Sequence, residues 1–171
     1  MPRRIIVFIA SSLDGFIAGP HGEIDWLFTD QDYGYKEFYA SVDTLLAGRK
    51  TYELANTFPE WPYTGKEVFV FSRHPQKEKD ARVKFETDPV PFVKKLREIS
   101  GKNIWLVGGG EIVSLLLDAG LIDELRVFVH PIVLGKGIRL FPFGTAQAKL
   151  ELMDSHAFGS GLVELRYRVK R

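Results

Sequence analysis

The sequence contains no cysteine and carries almost no net charge, with 23 lysines and arginines against 22 aspartates and glutamates. The absence of cysteine excludes disulfides and thiolate chemistry, and nothing in the composition indicates secretion. A formal net charge of +1 gives no reason to expect nucleic acid or an anionic membrane as the main partner.

Long hydrophobic runs are also missing. The apolar run that follows the basic start of the chain covers only residues 5–10. It is too short for a signal sequence, and no segment is long enough to span a bilayer, so we expect a cytoplasmic protein. At 171 residues, with 45% hydrophobic and 26% charged residues, the composition is that of an ordinary globular protein. We predict one domain over residues 1–171.

Apolar runs alternate with amphipathic stretches in the first two thirds of the chain. The apolar runs predict strands at residues 4–10, 42–47, 67–71, 83–86 and 104–107. The amphipathic stretches predict helices at residues 35–40, 49–56, 90–99 and after residue 110. The remainder is mostly strand, at residues 123–131, 149–156 and 162–170. This order predicts an α/β fold with a mixed, mostly parallel sheet, helices on both faces and an antiparallel C-terminal hairpin.

A triple glycine, Gly108-Gly109-Gly110, lies between the strand at residues 104–107 and the helix that Gly120 ends. Residues without a Cβ let the backbone approach a ligand closely. The start of the following helix presents free amide groups and a positive dipole end, which suits a phosphate. A tight strand-to-helix turn without any ligand explains the same residues equally well.

Two further strand ends carry hydroxyl and basic residues. Gly48-Arg49-Lys50-Thr51 lies where a strand passes into a helix, and Ser72-Arg73 follows the next strand. Ligands of open α/β sheets bind outside the carboxyl ends of the strands, so these motifs and the triple glycine are expected to converge. Two phosphate sites and a third basic point fit NADP better than NAD. Taken alone, each motif is also explained as a solvated helix start or a plain turn.

Other ligand-binding motifs are missing. Val113 occupies the third glycine site of the dinucleotide fingerprint, and the sequence has neither a P-loop nor a nucleophile elbow. The histidines are scattered along the chain, so we expect no metal site: His21, His74, His130 and His156.

In their order, the motifs resemble the dihydrofolate reductase-like superfamily. The closest resemblance is to the reductase domain of bacterial riboflavin biosynthesis enzymes and its stand-alone relatives. The matching residues are 12–18, 48–53, 71–73, 107–110, 121–125, 131 and 135–137. The resemblance implies a sheet of about eight strands, an NADPH-dependent reductase and a homodimer.

The resemblance also assigns cofactor contacts residue by residue. It implies phosphate contacts at Gly48, Arg49, Lys50 and Thr51, and a site for the adenosine 2′-phosphate at Ser72 and Arg73. It places the pyrophosphate and nicotinamide side at Val107, Gly108, Gly109, Gly110, Glu111 and Ile112, with Ala10 and Ile17 lining the nicotinamide pocket. Riboflavin-type reductases usually carry glutamate just before the glycine pair, where this chain has Gly108.

The expected reaction is hydride transfer from NADPH to a C=N or C=O bond of a small heterocycle of pyrimidine or pterin type. A carboxyl group near the end of the first strand, with a pKa raised by partial burial, would donate the proton. Asp14 and Asp25 are the candidates, although Asp14 also fits a plain Asp-Gly turn. The alternatives are a non-catalytic nucleotide-binding protein that keeps the fold and a general reductase of small heterocycles.

Aromatic residues concentrate between positions 26 and 39. Core packing or a dimer contact explains most of them, and the alternative is a wall on which a flat heterocycle stacks. The residues are Trp26, Phe28, Tyr33, Tyr35, Phe38 and Tyr39.

Overall fold

The computed structural model describes residues 2–77 and 79–171. Within those residues the chain forms ten strands and four α-helices. The strands are Ile5–Ser12 (β1), Phe16–Ala18 (β2), Val42–Gly48 (β3), Glu67–Phe71 (β4), Lys84–Glu86 (β5), Asn103–Gly108 (β6), Glu124–His130 (β7), Ile138–Arg139 (β8), Leu150–Ala157 (β9) and Val163–Val169 (β10). The helices are Tyr35–Ser41 (α1), Arg49–Ala55 (α2), Pro89–Leu96 (α3) and Gly110–Asp118 (α4), with a short 3₁₀ helix at Pro75–Lys77.

Eight strands of the described chain form one sheet in the order β5-β4-β3-β6-β1-β7-β10-β9. The strands from β5 to β7 run parallel. Strand β10 pairs antiparallel with both β7 and β9. The predicted mixed, mostly parallel sheet with an antiparallel C-terminal hairpin is confirmed. Strands β2 and β8 pair with each other in a separate two-stranded sheet. The sequence pattern predicts neither of these two short strands.

Different helices cover the two faces of the sheet. On one face, Ile5 and Val7 of β1 pack with residues of α3 and α4. On the other, Ile6 of β1 packs with Phe38 of α1 and Ala55 of α2. A strand that is apolar on both faces is stable only where both faces are buried. No helix in the described ranges combines the length and apolar character that a bilayer crossing requires.

The parallel strands β4, β3, β6, β1 and β7 end at the same edge of the sheet, which we call the carboxyl edge. Gly48 at the end of β3 lies opposite Phe71 at the end of β4. On the other side of β3, Ala47 lies opposite Gly108 of β6. Ser12 at the end of β1 lies opposite His130 at the end of β7. The register therefore brings the predicted motifs to one edge.

Candidate functional site

The triple glycine forms a bend between β6 and α4 that other residues do not permit. Gly108 has a φ of 133°, a conformation that side-chain-bearing residues rarely adopt. A Cβ at Gly110 would overlap the carbonyl oxygens of Arg139 and Leu140, because the chain after β8 crosses the start of α4. Within the described chain no side chain caps α4, so the amide groups of its first turn are available at this edge.

The turn between β3 and α2 lies directly against the glycine bend. A Cβ at Gly48 would lie 3.4 Å from the amide nitrogen of Gly109. The Thr51 hydroxyl lies 3.8 Å from the Cβ position of Gly108 and 3.7 Å from that of Gly109. Cδ1 of Ile17 lies 3.9 Å from the Cβ position of Gly109. The structure thus brings three separate predicted segments into contact range: the glycine bend, the turn that carries Gly48 and Thr51, and Ile17.

Basic and hydroxyl side chains collect beside this bend, at the ends of β3 and β4. Nη1 of Arg49 donates to Oγ of Ser72 at 3.4 Å. Ser72 is buried, and its Oγ also accepts the amide of His74 at 3.2 Å. Lys50 and Arg73 are exposed. The result is a positive, hydroxyl-bearing surface that suits the oxygens of a phosphate.

The remaining predicted contact residues differ in their exposure and in their distance from the bend. Cγ1 of Ile112 lies 3.3 Å from the Cβ position of Gly48. Ala10 and Val107 are half-buried near the ends of β1 and β6. Glu111 is exposed in the first turn of α4, where its negative charge favours the helix dipole but opposes a bound phosphate.

Asp14 lies at the carboxyl edge, where its carboxylate accepts three hydrogen bonds. Its Oδ1 accepts from Oγ of Ser12 at 2.6 Å and from the amide of Leu134 at 3.1 Å, and its Oδ2 accepts the amide of Gly135 at 2.8 Å. These hydrogen bonds stabilise the carboxylate and therefore lower the pKa of Asp14. The bond from Ser12 has the largest effect. The expected raised pKa is therefore wrong for Asp14. Asp25, the other candidate, is exposed.

The aromatic residues between positions 26 and 39 divide into two groups. One group packs into the protein: Tyr33 against Phe158, and Tyr35, Phe38 and Tyr39 around Trp105. The other group, Trp26 and Phe28, lies at the carboxyl edge beside the end of β7. Only this second group is placed where a wall for a heterocycle is useful.

His130 was not predicted to belong to this edge. It is buried, its Nε2 accepts the amide of Phe28 at 3.2 Å, and its Nδ1 therefore carries the proton that it donates to the Phe128 carbonyl at 3.0 Å. Burial lowers its pKa. The centroids of the Trp26 and Phe28 rings lie 5.2 and 5.1 Å from that of the imidazole. The sequence feature that could have identified His130 is its position at the end of a predicted strand, just before Pro131.

The comparison with protein families matches the RibD C-terminal domain over residues 3–164. The uncharacterized protein YwjB of Bacillus subtilis is 40% identical to this chain, over 98% of each. A solved protein of Shewanella sp. PV-4, named for riboflavin biosynthesis, is 31% identical with a TM-score of 0.85 and complete coverage of both chains. The chain belongs to the RibD C-terminal domain family.

Two more distant structures share the fold. A deaminase and 5-amino-6-(5-phosphoribosylamino)uracil reductase of Thermotoga maritima superposes with a TM-score of 0.77 at 18% identity, over 99% of this chain and 57% of its own. The dihydrofolate reductase of Enterococcus faecalis, complexed with NADP(H), superposes with a TM-score of 0.74 at 15% identity, over 98% of this chain and 97% of its own. The predicted dihydrofolate reductase-like fold is confirmed.

Proposed function

We propose that this member of the RibD C-terminal domain family is an NADPH-dependent reductase of a small heterocycle, acting on a C=N or C=O bond. The observation that carries the proposal is the convergence of the glycine bend, Thr51 and the Arg49–Ser72 pair at one edge of the sheet. When bound, NADPH supplies the hydride, and the protein supplies orientation and electrostatics.

The residues at this edge fit a dinucleotide with an extra phosphate. The backbone of the bend at Gly108 and the first amides of α4 would bind the pyrophosphate. Arg49 and Arg73, beside the hydroxyl of Ser72, would hold the 2′-phosphate by charge-assisted hydrogen bonds. The NADP(H) bound by the Enterococcus reductase supports the same cofactor here.

The substrate side is formed by the segment that His130 holds in place. Trp26 and Phe28 present ring surfaces there, on which a pyrimidine or pterin would stack. Because the Thermotoga protein is named a 5-amino-6-(5-phosphoribosylamino)uracil reductase, the substrate of that reaction is the first compound to assay, and dihydrofolate is the second. Turnover at saturating NADPH in Asp14→Asn and Asp25→Asn tests both carboxyl groups, and unchanged rates in both variants would exclude both as the proton donor.

A second candidate function is nucleotide binding without catalysis. It is favoured by one observation, since Asp14 is held charged by three hydrogen bonds and is therefore a poor acid. Turnover of any heterocycle with consumption of NADPH would exclude this candidate, whereas tight NADPH binding without turnover would favour it.

The first test is a titration of the protein with NADPH and with NADH, followed by nicotinamide fluorescence. We expect tighter binding of NADPH, and a loss of about tenfold in its affinity in Arg73→Gln, which corresponds to about 1.4 kcal/mol for the lost phosphate contact. Arg168→Gln is the control, because Arg168 is exposed on β10 and pairs with Glu151 away from the bend. Failure to bind either nucleotide would overturn the proposal.

A further inference from the structure

The carboxyl edge of the sheet carries opposite charges in its two halves. The half at the ends of β3 and β4 exposes Arg49, Lys50 and Arg73. The other half lies at the ends of β1 and β7, beside the segment that carries Trp26 and Phe28. Residues 5–35, which include this segment, contain no lysine or arginine. They contain five acidic residues, Asp14, Glu23, Asp25, Asp30 and Asp32. We call the two parts the basic half and the acidic half.

A cavity of about 390 Å³ opens on the acidic half, lined by Leu27, Phe28, Thr29, Asp30 and Ser160. Ser160 lies in the turn between β9 and β10, and the amide of Phe28 is bound by His130 at the end of β7. Strand β7 is two strands from β6, so its end lies roughly 10 Å along the edge from the glycine bend. Cavities of this size hold small ligands, and a heterocycle stacked on Phe28 would direct a substituent into this one.

The polar groups of the cavity are held in place by Tyr33. Its hydroxyl donates to Oδ1 of Asp30 at 2.5 Å and lies 2.8 Å from Oγ of Ser160. Tyr33 is buried, and its ring packs against Phe158 with the centroids 4.7 Å apart. Its φ of 54° is uncommon for a residue with a side chain, so the packing fixes a conformation that the chain would otherwise avoid. The Asp30 carboxylate is therefore a fixed negative charge beside a hydroxyl group.

Basic side chains near the acidic half are engaged with other groups. Nη2 of Arg126 lies 3.9 Å from the Cβ position of Gly34, but its Nε donates to Glu164 at 2.5 Å. The pKa of Glu23 is lowered by hydrogen bonds from the backbone and, to a smaller extent, by the positive charge of Lys136. Glu23 therefore offsets Lys136, and the Asp30 charge dominates in the cavity.

We infer that this cavity receives an uncharged, hydroxyl-bearing substituent of the substrate, and that Asp30 discriminates against a phosphate there. A hydroxyl group can donate a charge-assisted hydrogen bond to the Asp30 carboxylate. A phosphate would bring like charges together without an arginine or lysine among the lining residues to offset them. The inference rests on the proposed reductase function, since it names the substrate class of the same site. It predicts a substrate different from the phosphorylated compound that names the Thermotoga enzyme.

The test compares two ligands that differ only in the phosphate. One is 5-amino-6-(5-phosphoribosylamino)uracil, and the other is the same compound after removal of its phosphate by a phosphatase. Binding of each to the protein is measured by calorimetry, and NADPH consumption with each is measured separately. We expect the dephosphorylated compound to bind at least about tenfold more tightly.

Two variants show whether Asp30 causes the preference. Asp30→Asn removes the charge but keeps an acceptor for the Tyr33 hydroxyl, so the segment should stay folded. We expect the preference for the dephosphorylated compound to fall to about threefold or less. Glu151→Gln is the control, because it removes one negative charge at the opposite end of the β9–β10 hairpin from Ser160. The preference should be unchanged in this variant.

Equal or tighter binding of the phosphorylated compound by the parent protein would overturn the inference, as would binding of neither compound. A preference that is unchanged in Asp30→Asn would also overturn it. Failure of the inference and failure of the reductase proposal are distinguishable. Reduction of the phosphorylated compound at least as efficiently as the other would overturn only the inference. Preferential binding of the dephosphorylated compound without NADPH consumption would overturn the reductase proposal and support the selectivity of the cavity.

Discussion

The arginines at the two edges of the parallel sheet differ in their exposure to solvent. At the carboxyl edge, Arg49 and Arg73 are exposed beside a glycine bend. At the opposite edge, which we call the amino edge, Arg3 is 7% exposed and donates to Thr44 at 2.7 Å and to the Lys102 carbonyl at 2.6 Å. Its guanidinium also pairs with Asp43. The arginine at the amino edge has its donors engaged by the protein itself.

Two acidic residues of the amino edge, Glu124 and Asp123, are likewise paired within the protein. Glu124 is fully buried between Arg4 and Arg166. Asp123 accepts the amide of Ile5 at 2.8 Å and pairs with Arg171 at 2.6 Å. These contacts join the starts of β1 and β7 to the C-terminal strand. The comparison indicates that the amino edge holds the sheet together, while basic groups of the carboxyl edge stay exposed, where the proposed nucleotide would bind.

The largest expected effect comes from breaking the amino edge at Glu124. Glu124→Ala removes a fully buried carboxylate and leaves Arg4 and Arg166 facing each other. We expect a loss of about 3 kcal/mol in the free energy of unfolding, measured with urea, and an unchanged affinity for NADPH. Glu151→Ala is the control, because the Glu151–Arg168 pair is exposed and contributes about 0–1 kcal/mol. Weakened nucleotide binding in Glu124→Ala would contradict the division between the edges.

An intermediate effect on stability is expected from a substitution of Gly110 at the carboxyl edge. Gly110→Ala forces a methyl group against the carbonyl oxygens of Arg139 and Leu140, which are backbone atoms and cannot turn away. We expect a loss of about 1–3 kcal/mol in stability, as for overpacked sites, together with weaker NADPH binding. Gly159→Ala is the matched control, since a Cβ there meets nothing within 4 Å. If Gly110→Ala and Gly159→Ala lose equal stability, the chain that crosses α4 after β8 does not require glycine at position 110.

The sequence predicted the elements whose signal is local. Strand β4 has the predicted bounds, residues 67–71, because a short apolar run ends at the polar Ser72. Strands β2 and β8 were missed, because three and two residues show no period and pair only across a long stretch of chain. The motifs at the carboxyl edge were predicted because each follows a strand.

The detailed chemistry of the site depends on contacts between distant loops. The lowered pKa of Asp14 arises partly from the amides of Leu134 and Gly135, about 120 residues away in the chain. The role of His130 depends on the amide of Phe28, which no local pattern places beside it. The requirement for glycine at position 110 depends on where Arg139 crosses α4.

The smallest expected effect is a pH dependence at the carboxyl edge, because it involves only His130. Neutral His130 accepts the amide of Phe28, and burial lowers its pKa in the folded protein. Above the unfolded pKa of about 6.5 both states are neutral and the stability is complete. As the pH falls toward the lower folded pKa, the unfolded state binds the proton first, so stability is lost.

The measurement is the free energy of unfolding in urea at pH 7 and pH 5, which we expect to be lower at pH 5 because of His130. His130→Gln keeps an acceptor but does not titrate, so its stability should fall less over this interval. His74→Gln, which changes an exposed histidine, should follow the parent protein. If His130→Gln loses as much stability as the parent, the acid sensitivity lies in the paired carboxylates of the amino edge, and the imidazole of His130 does not hold the Trp26–Phe28 segment.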